Sequence, residues 1–390
     1  MEKLWRRRSQ QKDVPVELIQ HIQSLLPLKE AACTCVLSKT WSHAWSTIPH
    51  LRFHKTSKFL NEEKDRDYMK LIDRTMFRYV QDNIPIESFD LKLDFNAASL
   101  ANKWIRTVAS QSCLKELSLE IWIVKGNNRF MLLDDIFSGI NLLTMSVRVR
   151  RCSFSSNDIV SMSLNPVIIN CESLRVLELE HVKISEEVLD SLFSTCTLLE
   201  KIDLAYCRGF TTIKVNNLRY LKELKLSLNL LERYQFLNID GVPNLPLFFY
   251  HLAFRTPITF NMTSLMGVTE LSLHGVIINV AFVDMIKSKL PFLEILYIEN
   301  PSWTSERLDF TSSSLKRLAL IIRRENRRVD IQVCAPKLYH LSYSGDTIPS
   351  VLFQSSKALE YMKLSLDLWD HVDLSFFLRM RELFNLSSNF

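Results

Sequence analysis

Glycine is scarce in this chain. There are seven in 390 residues, where average usage would supply roughly 27. Turns that cradle phosphate need backbone N–H groups unshielded by a Cβ atom, and neither GxGxxG nor GxxxxGK[ST] occurs. A nucleotide-binding enzyme is therefore not expected. Long apolar runs are missing too. No stretch approaches the roughly 18 uncharged apolar residues that mark a membrane span, so no membrane contact is expected. The opening "MEKLWRRRSQQKD" has no apolar h-region of a secretory signal. The eight cysteines are scattered and not grouped as a disulfide framework, so free buried thiols in nucleus or cytoplasm are expected. HExxH and GxSxG are absent, and no Cys or Ser has an assignable base. No catalysis, no cofactor and no metal site are expected.

What is present is globular. Hydrophobic residues make up 47% and charged ones 23%, with a formal net charge of +5. Lys and Arg alternate with Asp and Glu and form no continuous stripe, so nucleic acid is not an expected partner.

A phrase, L-x-x-L-x-L, recurs. It reads "LKELSL" from Leu114, "LRVLEL" from Leu174, "LEKIDL" from Leu199 and "LKELKL" from Leu221. Later copies include "LEILYI" from Leu293, "LKRLAL" from Leu315, "LYHLSY" from Leu338 and "LEYMKL" from Leu359. A degenerate copy, "TMSVRV" from Thr144, has Val147 as its middle anchor, and "IESFDL" from Ile86 is a candidate first copy. Intervals between middle anchors run from 21 to 30 residues, mostly inside the 20–29 expected of leucine-rich repeats. The phrase ends in a period-two alternation, so each copy carries a short strand with one buried face. One strand cannot bury that face alone. Successive coils stack and share a core, with parallel strands on a concave face. Val182 and Ile184 are expected to turn inward after the strand, and Cys152 and Cys207 occupy a post-strand slot where packing is their expected role.

The front of the chain differs. In "VPVELIQHIQSLLPLKEAACTCVLSKTWSHAW", Leu18, Ile19, Ile22, Leu25 and Leu26 follow one helical stripe. Pro27 breaks that helix, a second spans roughly Lys29 to Cys35, and Ser38 is a good N-cap for a third carrying Trp41 and Trp45. About 40 residues seldom build a sufficient core unaided. The Cys33-x-Cys35 spacing is wrong for zinc, so a partner surface is the remaining source of stability. A stretch with Met69, Ile72, Met76, Tyr79 and Val80 at helical spacing follows, and is expected to pack on the first coil.

This front module resembles an F-box, whose pattern runs Leu-Pro-x-Glu-Leu, Ile, Leu-Pro, then Val-Leu-Ser-Lys-x-Trp. Val14 departs from the usual Leu, and Thr40 and Ser42 flank Trp41 where basic residues are common. With the repeats, the chain is similar to plant-type F-box/leucine-rich-repeat proteins. The resemblance implies an α/β fold, a three-helix F-box followed by a leucine-rich-repeat solenoid. The expected divisions are a basic tail at 1–12, the F-box at 13–53, a helical linker at 54–85 and the array at 86–390. It further implies a substrate receptor of a cullin–RING ubiquitin ligase, its F-box on a Skp-type adaptor and its repeats on a target protein. The alternative is a repeat scaffold with a vestigial F-box. Position by position, the implied adaptor-facing residues are Pro15, Leu18, Ile19, Ile22, Leu26, Pro27, Val36, Leu37 and Trp41. Target contacts are expected from outward strand positions of the late coils: Tyr297, Lys316, Arg317, Tyr339, His340 and Tyr361, a composition typical of binding hot spots. "RRENRR" at Arg323–Arg328 reads as a solvated basic loop or, alternatively, a lure for an acidic or phosphorylated target.

Overall fold

The computed structural model describes residues 14–26, 28–54, 62–94, 98–123, 137, 141–151, 162–164, 169–228, 236–252, 259–262, 265–303, 307–322, 330–345, 350–352, 360–366, 377–378 and 381. Among the described residues thirteen parallel strands form one sheet, running from His50–His54 through Lys201–Ala205 to Tyr361–Leu366. Each strand pairs with the next copy of the phrase, so the order in the sheet is the order in the chain. That is what a solenoid requires, since every coil then rests only on its neighbours.

The register shows how the leucines work. One inward column reads Leu51, Phe89, Leu117, Met145, Leu177, Ile202 and Leu224, and continues through Phe248, Leu271, Leu296, Leu318, Leu341 and Met362. From Phe89 to Leu341 these side chains are at most 2% exposed. Burying each stabilises the stack by roughly 1.5–3 kcal/mol before entropy is counted. Val147 is not the anchor of its coil. Met145 pairs with Leu117 and Leu177, and Val147 lies one step on, beside Leu119 and Leu179. A shift of two residues keeps the same side chains facing inward, so alternation alone cannot tell them apart.

The division at 53/54 falls inside a strand. His50–His54 is the first strand of the sheet and pairs with Ser88–Asp94, so the array begins before residue 86. The expected linker is the return segment of that first coil. Its helix Glu62–Gln81 buries Ile72, Met76 and Tyr79, while Val80 is 54% exposed and does not join the stripe. Burial pushes the Tyr79 phenol up to about 12, so it stays protonated and donates to the Ile48 carbonyl at 2.9 Å. The next return is the helix Ala98–Ala109. There Trp104 donates its indole N–H to Asp73 at 2.7 Å, tying the two return helices together.

Later returns are mixed. Ser185 caps Glu186–Thr195, and Asn279 caps Val280–Lys289 with an amide oxygen 2.8 Å from the Phe282 N–H. Between and after these helices the returns are strands, giving two further three-stranded parallel sheets: Thr212–Asn216 with Phe236–Asp240 and Thr259–Met262, and Arg307–Thr311 with Asp330–Cys334 and Ser350–Leu352. Val182 and Ile184 are buried as expected. Among the described residues no helix is long and apolar enough to cross a membrane.

Cys171 and Cys196 come from adjacent coils, fully buried, with their sulfurs 3.4 Å apart. Cys207 is 1% exposed, and burial pushes its thiol up to about 12. Cys152 lies outside the described residues. Thiolate is the reactive form, so maleimide at neutral pH should label exposed Cys33 rapidly and Cys207 only on unfolding. Mass spectrometry of a native labelling time course checks this, and fast labelling of Cys207 would mean that the coils are not closed.

Candidate docking surfaces

The front module is three short helices: α1 Val16–Leu25, α2 Leu28–Cys33 and α3 Lys39–Ser46, with a 3-10 turn at Thr34–Val36. Ser38 accepts the Trp41 N–H at 3.2 Å, the expected cap. Its apolar core among the described residues is small: Ile19, Ala31 and Ala44, each at most 1% exposed. Amides do much of the holding. Gln23, 1% exposed, donates to Thr34 Oγ1 at 2.8 Å and to the Trp41 carbonyl at 3.1 Å. Gln20 donates to the Thr47 carbonyl at 3.0 Å. Gln23→Ala should destabilise the module by about 1–3 kcal/mol, because the part-buried Trp41 carbonyl and Thr34 hydroxyl lose the donor that the buried amide supplies. Hydrogen exchange of the α1 and α3 amides measures it, and unchanged protection would show that the amide carries no load.

The α1 stripe therefore does not close on its own chain. Leu18 is 50% exposed, Leu25 72%, Val36 87% and Leu37 63%. Ile22 and Val14 are also exposed. Leu26 and Trp41 are half-buried and Pro15 is exposed, while Pro27 lies outside the described residues. Ile19 is the correction: it is the centre of the knot, packed inward, and cannot face a partner. Six large apolar side chains left uncovered on so small a module make it a candidate docking patch.

The second surface is the open face of the main sheet, and its chemistry changes along the array. The early strands carry a self-satisfied charge ladder. Lys92 meets Glu120 at 3.3 Å, Arg150 meets Glu180 at 2.7 Å, and Lys201 meets Glu178 at 2.8 Å, with Arg148 also closed on Glu178. Burial pushes the Glu178 carboxyl up, but Lys201 and then Arg148 outweigh it and hold it below its ordinary value. Asp203 goes the other way, raised by burial and then by Glu178, with Lys225 and Lys201 opposing.

Beyond the ladder comes a row of rings at the carboxyl ends of the strands. His181 stacks on Tyr206 at 5.1 Å, Tyr206 meets His251 edge-on at 6.3 Å, and His251 meets His274 at 4.1 Å. Phe249 approaches His251 at 6.4 Å. The His274 tautomer follows from its partners. Nδ1 faces the Leu252 carbonyl at 3.4 Å and must donate, so Nε2 of the neutral ring accepts from the Asn300 amide at 3.1 Å. Burial, then the neighbouring His274, lowers His251 below its ordinary value, with Glu299 opposing. Among the described residues no group of three or more His, Cys, Asp or Glu is placed to hold a metal ion.

Residues 82–320, more than half of the chain, match the family model described as "At1g61320/AtMIF1, LRR domain". The chain belongs to this leucine-rich-repeat family. Curated relatives from Arabidopsis thaliana extend the likeness. Putative FBD-associated F-box protein At5g56410 is 30% identical over 203 residues, 48% of this chain and 38% of that protein. Putative F-box/LRR-repeat protein At3g58880 is 29% identical over 231 residues, 55% of this chain and 47% of the relative. F-box/FBD/LRR-repeat protein At1g13570 is 26% identical over 216 residues, 54% of this chain and 47% of the relative. The aligned parts thus span less than half the length of these relatives. Together with the repeat family, these names bear out the plant-type F-box/leucine-rich-repeat reading.

Within this leucine-rich-repeat framework the expected target residues fall in two places. Arg317, His340 and Tyr361 share one row across the last three strands, with His340 stacked on Tyr361 at 4.4 Å. Tyr339 and Lys316 flank that row, and Lys316 is held by Glu294 at 2.8 Å. Tyr297 stands apart, its hydroxyl donating to Glu299 at 2.8 Å towards the ring row. The ring row itself escaped sequence reading. Its one available signal is positional: His181, Tyr206, Gly275 and Asn300 each follow a strand at the same point of the repeat, with φ of 55°, 53°, 70° and 47°. Arg323–Arg328 lies outside the described residues.

Proposed function

We propose that this chain is the target-recognition subunit of a cullin–RING ubiquitin ligase of the SCF type, working in nucleus or cytoplasm. The observation that carries the proposal is the uncovered apolar patch of the front module, with Leu25 at 72% and Val36 at 87% exposed. A Skp-type adaptor covers that patch, and a cullin is recruited through it. The F-box names of the relatives support the same assignment.

The chain makes and breaks no bonds in this reading. It holds a target on the open face of the sheet, near a ubiquitin-charged enzyme, and so raises the effective concentration of target lysines. Rigidity suits the task, because a stacked array keeps adaptor and target at a constant separation. The test is capture of purified Skp-type adaptor by the full chain. Binding supports the receptor role, and no binding at micromolar concentrations leaves a repeat scaffold with a vestigial F-box as the correct description.

A further inference from the structure

We propose that the row of rings on the open face is the docking site for an extended, basic segment of the target protein, its Lys or Arg side chains laid across the rings. The inference rests on the target-capture reading and names the chemistry of what is captured.

Three observations point there. The first is shape. The rings of His181, Tyr206, Phe249, His251 and His274, with the Asn300 amide behind them, lie along the coils from the strand Val176–Glu180 to the strand Ile295–Glu299, the strand Glu223–Leu228 between Tyr206 and His251 adding no ring. Six strands at about 4.8 Å spacing span roughly 24 Å, the reach of about seven extended residues. A row of this length suits a strand-like segment better than a compact small molecule.

The second is charge. Outward positions on these six strands hold six carboxylates, Glu178, Glu180, Asp203, Glu223, Glu270 and Glu299, against two lysines, Lys201 and Lys225. Arg148 and Arg150 reach in from the preceding strand, and the excess is still negative on a chain whose net charge is +5. An acidic segment would be repelled here. An apolar one would strip water from carboxylates and return nothing.

The third is the state of the rings. A protonated imidazole would oppose a cation, and at His251, central in the row and edge-on to both Tyr206 and His274, burial and then His274 disfavour the protonated form. Neutral aromatic faces flanked by carboxylates are the complement of guanidinium or ammonium: the ring quadrupole attracts the cation while the carboxylate pairs with it. Earlier strands do not compete, since Lys92 and Glu120 there already satisfy each other.

The test titrates the full chain with fluorescent nine-residue extended peptides bearing Arg, Glu or Gln at alternate positions. The Arg peptide should bind at least about tenfold more tightly than the other two, as expected of one cation–π contact reinforced by a carboxylate. Tyr206→Ala, and separately the isosteric pair Asp203→Asn with Glu299→Gln, should each weaken it about tenfold, while Glu120→Gln in the closed ladder should not. Equal affinity for Arg and Glu peptides, or an Arg-peptide affinity unmoved by both variants, overturns the proposal. The isosteric pair guards against misfolding, and circular dichroism confirms that it melts as wild type does. Adaptor capture is measured on the same preparations. Its loss speaks against the ligase role and its retention supports that role, whichever way the peptides behave.

Discussion

Replacing Leu25 and Leu37 by aspartate should remove adaptor capture and leave the repeat array's unfolding unchanged. Leu25 is 72% and Leu37 63% exposed, so neither contributes to the module's core and neither change opens a cavity. In a complex both would be covered. Each buried leucine contributes roughly 1.5–3 kcal/mol of apolar burial, and a carboxylate in its place must be desolvated without a partner. The double variant should therefore weaken binding by at least about a hundredfold, which is about 2.7 kcal/mol. Calorimetric titration against the adaptor measures the loss, and a denaturant melt of the same sample establishes that the fold survives. Ile19→Asp gives the contrasting result. That residue is 1% exposed, so its replacement should cost the module its fold and remove capture indirectly. Undiminished binding by the double variant would place the adaptor elsewhere or nowhere.

Gly275→Val should be the most damaging single change in the array. Gly275 has φ +70°, and a Cβ there would stand 2.0 Å from the backbone carbonyl oxygen of Leu252. A β-branched residue in left-handed geometry already costs on the order of 1–3 kcal/mol. The contact adds to this, because it falls on the backbone of the neighbouring strand and no side chain can swing aside. We expect a loss of at least about 3 kcal/mol, read as a fall in the denaturant midpoint. Because coils are stabilised by their neighbours, proteolysis should then open the chain around residues 247–300 first. Ser272→Val, three residues earlier on the solvent face of the strand, is the control and should be nearly neutral. A variant with wild-type stability would show that the coil turns differently at this point.

Much of the array was legible in the residues. Leu177, Leu224, Leu271 and Leu318 stand at intervals that only a stack of similar coils would maintain, and the alternation around each marks one buried face. The Ser38 cap and the proline-bounded helices at the front were legible for the same reason: each depends on a few neighbouring residues. The anchor Met145 was not, because a two-residue shift preserves the pattern. The strand His50–His54 was not, because "HLRFH" is too short to show a period and its partner lies 38 residues on.

The site divides in the same way. A helical stripe such as Leu18, Ile22 and Leu25 reveals that one face is apolar, but the same stripe serves a core or an interface. Packing decided between them, placing Ile19 inside with Gln23 and leaving the rest uncovered. The ring row is contributed by segments up to 119 residues apart in sequence, His181 to Asn300, and no local pattern joins them.

By itself, then, the sequence determined a repeated strand with one buried face, and so a stacked parallel array behind a small apolar helical module. Those properties are periodic or local, and each copy repeats the same physical demand. Tertiary structure alone decided which apolar residues close the module and which stay open, and which rings meet across neighbouring coils. These depend on through-space distances between segments that carry no record of one another.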